Sequence, residues 1–194
     1  MGHWKPAFAL LGLAAVVAQA APEAPAVVAA RCAVCHGARG ESAAEDFPRL
    51  AAQNEAYLAK QLHDFRSGNR QSLMTRMVKG VPEEEFAAIA RYFASQPAAP
   101  PAAATEMAAV GRYVFLHGDK WAGIPACRTC HGEAAHGTPT LPRLAGQHAD
   151  YLERQLREFT QRKRTNDNEI MHSIAERLTA LETRAVAEYL SSLP

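Results

Sequence analysis

The amino-acid sequence predicts an all-α protein built from two tandem copies of one small unit. Three observations lead there. "FPRLAAQNEAYLAKQLHDF" (47–65) returns as "LPRLAGQHADYLERQLREF" (141–159), with Pro48/Pro142, Arg49/Arg143, Gln53/Gln147 and Tyr57/Tyr151 matched at a constant offset of 94. Such self-similarity marks a repeat architecture. Inside each copy the apolar residues recur at three- and four-residue steps, as in Leu50, Tyr57, Leu58, Leu62 and Phe65, which is the period of a helix face. No stretch shows the strict alternation of a half-buried strand.

Residues 1–20 combine one Lys, an apolar run from Ala7 to Ala18 and a terminal Ala18-Gln19-Ala20. That is the pattern of a signal peptide with a small-residue cleavage site. The apolar run of about 12 residues falls well short of the roughly 20 of a spanning helix. A soluble exported protein of a bacterial periplasm is therefore expected, with no transmembrane segment after cleavage and with peripheral membrane association left open.

The first unit occupies residues 21–94. It has a short lead before Cys32, a helix stopped at Ser67-Gly68, and a further helix starting at Pro82, with Glu83, Glu84 and Glu85 at its positive end. Residues 95–104 are rich in Ala and Pro and read as a stiffened linker. The second unit, 105–194, opens with a helix from about Thr105 to His117 and closes with one that starts at a Thr179–Glu182 capping box. Residues 21–104 carry nine basic and nine acidic side chains, and 105–194 carry eleven of each. Neither half has the positive excess that nucleic-acid binding requires.

All four cysteines lie in "RCAVCHG" and "ACRTCHG". In Cys-x-x-Cys-His the two thiols sit about one helical turn apart, so both can form thioethers to the vinyl groups of one haem, and the adjacent His is carried under the ring to the iron. Cys32, Cys35, Cys127 and Cys130 are thus expected to anchor two covalently attached haem c groups, with His36 and His131 as axial ligands. A thioredoxin-like motif would need strands. A zinc clamp would need its pairs about 15 to 20 residues apart, and simple disulfides would leave both histidines without a purpose.

The second axial ligand must occur in both copies. Aligning "IARYFAS" (89–95) with "VAEYLSS" (186–192), an offset of 97, sets Met74 opposite Met171 and Met77 opposite Ile174. Met74 and Met171 are therefore the expected ligands, with Met77 and Met107 as core residues. His172 and His63 are rivals without a histidine counterpart, and His117, His136 and His148 read as ordinary surface or loop residues. Methionine favours ferrous iron and closes it to substrates, so high potentials and no catalysis are expected. The carbonyls of Pro48 and Pro142 fall where they can accept the second ring N–H of each histidine, and Arg49 and Arg143 are candidate partners of haem propionates. "REFTQRKR" (157–164) forms a basic stretch suited to an acidic partner or to a solvated helix end.

"CAVCHG", "FPRLAAQ…YLAKQL…F" and "M…VPEEEFAAIARYF", followed by "CRTCHG", "LPRLAGQ…YLERQL…F" and "RTNDNEIM…LTALETRAVAEYL", resemble the dihaem cytochromes c of the c4 type over essentially the whole mature chain. The resemblance implies two class I cytochrome c domains, each a few helices around one haem, related by pseudo-twofold symmetry. It also implies a periplasmic electron carrier between redox proteins, from a quinol- or substrate-oxidising donor to an acceptor such as a terminal oxidase. The short lead before Cys32 and the Ala/Pro linker depart from that pattern. They keep a second reading in view, the cytochrome subunit of a larger flavin- or quinone-linked dehydrogenase.

Overall fold

The computed structural model describes Met1 and residues 23–194; residues 2–22, which hold nearly all of the expected signal peptide, lie outside the described residues. The first unit opens with a π-helical turn, Val28–Cys32, that runs into α1 (Ala33–His36). Next come α2 (Glu55–Ser67), α3 (Leu73–Met77) and α4 (Phe86–Ala94). The second unit comprises α5 (Ala108–His117), α6 (Arg128–His131), α7 (Ala149–Thr160), α8 (Ile170–Ala175) and α9 (Ala180–Ser191). Among the described residues there is no strand beyond one isolated bridge, Asp119 to Ile124, and no helix is long and apolar enough to cross a membrane.

Local chemistry sets the helix ends. Gly68, at φ +85°, ends α2 in the left-handed conformation that a side chain disfavours. Thr179 accepts the Glu182 N–H while the Glu182 carboxylate accepts the Thr179 N–H, and this capping box opens α9. Two boundaries differ from expectation. The segment after Pro82 forms a 3₁₀ turn, Glu83–Glu85, before α4 proper begins at Phe86. The helix expected from Thr105 begins at Ala108, and the Thr105 hydroxyl donates to the Glu188 carboxylate on α9.

Each unit has its own core. In the first, α2 and α4 enclose Phe86, Ile89 and Phe93 with Val28 from the lead. In the second, α5 lies along α9 and α7 packs against it, burying Val114, Phe115, Val186 and Leu190. Gly111 permits the α5–α9 crossing, since a Cβ there would sit 1.9 Å from the Ala185 carbonyl oxygen. Among the described residues, the first unit has the π-helical turn Val28–Cys32 ahead of its Cys-x-x-Cys-His segment, where the second has α5.

The units face each other through reciprocal hydrogen bonds. Gln53 donates to the Arg143 carbonyl (2.9 Å) and accepts from the Arg143 N–H (2.7 Å). Gln147 donates to the Arg49 carbonyl (2.9 Å) and accepts from the Arg49 N–H (2.8 Å). Equivalent residues thus make equivalent bonds in both directions, the signature of a twofold-like interface. The proline-rich residues 97–105 follow this surface without regular structure, tied down by Ala102 N–H to Ser191 O (2.9 Å) and Arg49 Nη1 to Pro100 O (2.9 Å).

Candidate functional site

Both Cys-x-x-Cys-His segments end in a single helical turn that buries the histidine. Cys32 closes the π-helical turn and Cys35-His36 complete α1, while Cys127 caps α6 and Cys130-His131 complete it. Burial raises the pKa of the Cys32 thiol and pushes that of Cys127 up to about 11. Among the described residues no three His, Cys, Asp or Glu side chains converge on one point, so the four cysteines do not form a clamp.

His36 and His131 are nearly buried. His36 Nδ1 lies 2.9 Å from the Pro48 carbonyl and His131 Nδ1 lies 3.4 Å from that of Pro142. A carbonyl can only accept, so Nδ1 carries the proton and Nε2 keeps a free lone pair. Burial lowers the pKa of both rings and the carbonyl contact opposes it, with the net shift downward. A neutral ring of fixed tautomer is the form that ligates a metal.

Both histidines line one cavity of about 1500 Å³ shared by the two units, together with the four cysteines, Met74 and Met171. A cleft for one small ligand is about 300–1,000 Å³, so this space suits two large groups. Met74 is carried by α3, whose first turn is fixed by the Ser72–Thr75 capping box, and Met171 by α8, where Asp167 Oδ2 accepts the Met171 N–H at 2.5 Å. Met77 and Ile174 also line the cavity. His172 does not: its Nδ1 is 2.9 Å from the Phe159 carbonyl and its Nε2 is 3.3 Å from Glu176. His63 points to Glu83 at 2.9 Å.

The polar wall tests whether haem fits. Seven of the lining side chains are Arg or Lys and four are Asp or Glu, in a chain whose overall charge is only +1. Arg49 Nε is buried with no hydrogen-bond partner. An excess of cations and an orphaned guanidinium N–H suit a ligand whose edge carries carboxylates, as haem does. Arg49 Nη1 is held by the Gly146 and Pro100 carbonyls, and Arg143 Nη2 by Pro194 O. Both arginines are half-buried at the interface, so neither is a free surface residue.

Two expectations need correction. His148 is buried, not a surface or loop residue, because it caps α7 where the units meet and its Nε2 is 2.9 Å from Ser42 O of the first unit. The stretch 157–164 is not a uniform basic patch either. Arg157 pairs with Glu153, Arg162 pairs with Glu169, and Arg164 is buried against Tyr57 of the other unit.

Gln53 and Gln147 are legible in the sequence only as repeat matches and Arg164 only as one of a basic run, while Arg70 carries no expectation; that Arg70 and Arg164 are separated by the same offset of 94 as the two glutamines is the signal that pairs them.

Residues 22–97 and 117–194 each match the cytochrome c family. The chain is 41% identical over 189 residues to a protein of Pseudomonas aeruginosa named cytochrome c4, covering 95% of this chain and 93% of that one. It is 39% identical over 197 residues to a Thiomonas intermedia protein named thiosulfate dehydrogenase electron acceptor, covering 97% and 90%. Its fold is similar to the crystal structure of reduced recombinant cytochrome c4 from Pseudomonas stutzeri, with a TM-score of 0.82 at 36% identity, over 86% of this chain and 95% of that one.

Proposed function

The chain belongs to the cytochrome c family as a c4-type dihaem electron-transfer protein with two covalent haem c groups, and from that premise we propose which of its residues hold the cofactors and whom it serves. Cys32 with Cys35 and Cys127 with Cys130 form the thioethers, His36 with Met74 and His131 with Met171 bind the two irons, and residues 21–94 and 105–194 are the two domains joined by 95–104. Each haem supplies a one-electron Fe(III)/Fe(II) couple.

The chain's residues then have three tasks. Pro48 and Pro142 hold the histidine tautomers, Met74 and Met171 would supply the second ligand to each iron and so exclude exogenous ligands, and Arg49 and Arg143 would hold the propionates. The observation that carries this reading is the single cavity onto which both motifs and both methionines open.

The protein works in the periplasm as a carrier between redox partners. A second reading is favoured by the relative named as an acceptor for thiosulfate dehydrogenase, namely that a thiosulfate-oxidising enzyme is the donor. Stopped-flow mixing of the oxidised holoprotein with such an enzyme and thiosulfate tests it: reduction of both haems faster than the enzyme turns over with a small artificial acceptor supports a dedicated pair. Reduction no faster than that of an unrelated monohaem cytochrome leaves only the general carrier. Elution of the protein alone from native extract at high salt supports the free carrier, whereas persistent co-elution with a dehydrogenase supports a fixed subunit.

A further inference from the structure

Met74 and Met171 open onto the cavity from equivalent positions, and in both units a side chain holds the methionine's own backbone N–H. The Met74 N–H donates to the Ser72 hydroxyl at 3.0 Å, whereas the Met171 N–H donates to the Asp167 carboxylate at 2.5 Å. The two clamps do the same mechanical work with different charge. A hydroxyl is neutral and a carboxylate is an anion, and a hydrogen bond to an ionised acceptor is roughly twice as strong. At the offset of 97 that sets Met74 opposite Met171, Asp167 falls opposite Arg70, so the first unit has no carboxylate at that position.

The local backbone delivers the carboxylate. Asn168 (φ +55°) and Glu169 (φ +65°) are consecutive left-handed residues, a conformation that side chains disfavour. They turn the chain between Asp167 and α8, so that a side chain four residues ahead of Met171 reaches its N–H. Contacts on both sides hold the strain, since Arg162 pairs with Glu169 and Arg164 donates to Asn166 Oδ1. Strain of this kind persists only where the surroundings over-determine it. Ser72 reaches Met74 from extended backbone and needs no such turn.

The other carboxylate oxygen has no use in this clamp. Asp167 Oδ1 is buried without a hydrogen-bond partner, and Asp167 lines the shared cavity. Neither flanking arginine serves it, because Arg162 is paired with Glu169 and Arg164 donates to Gln155, Asn166 and Tyr57. A haem macrocycle bound through iron has no N–H to offer it, so the charge stays uncompensated next to the group that Met171 would bind. An anion beside an iron centre favours the ferric state, which carries one more positive charge.

We infer that Asp167 is a positioning residue for the second centre alone: one oxygen holds Met171 toward its iron, and the other places a fixed negative charge that lowers the reduction potential of that iron. The inference rests on Met171 as a ligand of the second iron. It makes two centres with the same ligand set unequal, through a residue that the first unit lacks.

The test uses the holoprotein with Asp167→Asn, whose amide oxygen still accepts the Met171 N–H without a charge, and with Asp167→Ala, which removes both functions. Potentiometric titration is followed optically, and the haem methyl resonances of the oxidised protein assign each step to its unit. In Asp167→Asn the midpoint of the second haem is expected to rise, that of the first to stay, and the far-red sulfur-to-iron band to keep its intensity. In Asp167→Ala the Met171 half of that band is expected to weaken, with cyanide binding to the second haem about tenfold faster, the equivalent of one charge-assisted hydrogen bond. Ser72→Ala, the neutral counterpart, is expected to speed cyanide binding at the first haem alone. A second midpoint that stays or falls in Asp167→Asn, or a first midpoint that moves as far as the second, overturns the electrostatic role, and this near-isosteric variant decides it whether or not Asp167→Ala takes up its second haem. Cyanide binding unchanged in Asp167→Ala overturns the positioning role. A parent protein whose far-red band accounts for only one methionine per chain would instead sink the ligation on which the inference rests, and that is seen before any substitution is made.

Discussion

Replacing Gln53 by Leu removes one half of the reciprocal clamp while keeping a similar volume. Three hydrogen bonds are lost, two across the interface to the main chain of Arg143 at 2.9 and 2.7 Å and one from the Asn54 N–H at 2.9 Å. At a net value of about 0.5–1.5 kcal/mol each, the loss of all three is about 1.5–4.5 kcal/mol. The cost would be higher if the Arg143 N–H and carbonyl stayed dry, about 1–3 kcal/mol for each group. Arg143 is only half-buried, so water reaches them and the lower range is expected. Gln147→Leu acts on Arg49 through the equivalent pair of bonds and is expected to cost the same, and the double variant about twice as much.

Denaturant unfolding of the oxidised holoprotein, followed by circular dichroism, reads the change. Gln161→Leu on the exposed end of α7 serves as the control. The clamp also reaches the proposed iron ligands, because Arg49 and Arg143 follow the prolines whose carbonyls hold His36 and His131. Opening it is therefore expected to alter the potentials as well as the stability. If Gln53→Leu falls within about 0.5 kcal/mol, the range of ordinary surface substitutions, the interface is not held as described.

Gly111→Ala places a Cβ 1.9 Å from Ala185 O and 2.8 Å from the Tyr189 Cβ. Overpacking of about 1–3 kcal/mol or more then exceeds the helix-propensity gain of about 1 kcal/mol, and thermal melting should show the second unit destabilised and the first unchanged. Burial, then the charge of Arg49, lowers the pKa of His148 below its ordinary 6.5, against the raising effects of Ser42 O and Asp150. The unfolded chain therefore binds the proton that the folded interface resists. Stability should be constant above about pH 6.5 and decline as the pH falls toward the depressed folded value. His148→Asn should flatten that decline in unfolding experiments run from pH 5 to 8.

What the sequence made legible is what is local or repeated. Two thiols and a histidine within five residues specify an attachment site whatever surrounds them, and the constant offset of 94 exposed the paired units. The repeat also sets Met74, and not Met77, opposite Met171, whereas both open onto the cavity. The interface was hidden because its partners are 81 to 108 residues apart and are polar, so no hydrophobic period announces them. His148 illustrates the difficulty: nothing within its own helix predicts that the Ser42 carbonyl will be waiting for it. Arg164 sits between residues that are exposed, and its run of basic neighbours suggested solvent when the fold turns it inward.

Each unit is proposed to close its iron with one particular methionine, Met74 in the first and Met171 in the second. The oxidised holoprotein should show the far-red sulfur-to-iron absorbance at an intensity matching two such bonds per chain. Met74→Ala and Met171→Ala should each remove half of it, and Met77→Ala should remove none. Loss of half the band in Met77→Ala with Met74→Ala unaffected, or a high-spin ferric spectrum in the parent protein at neutral pH, would contradict the assignment.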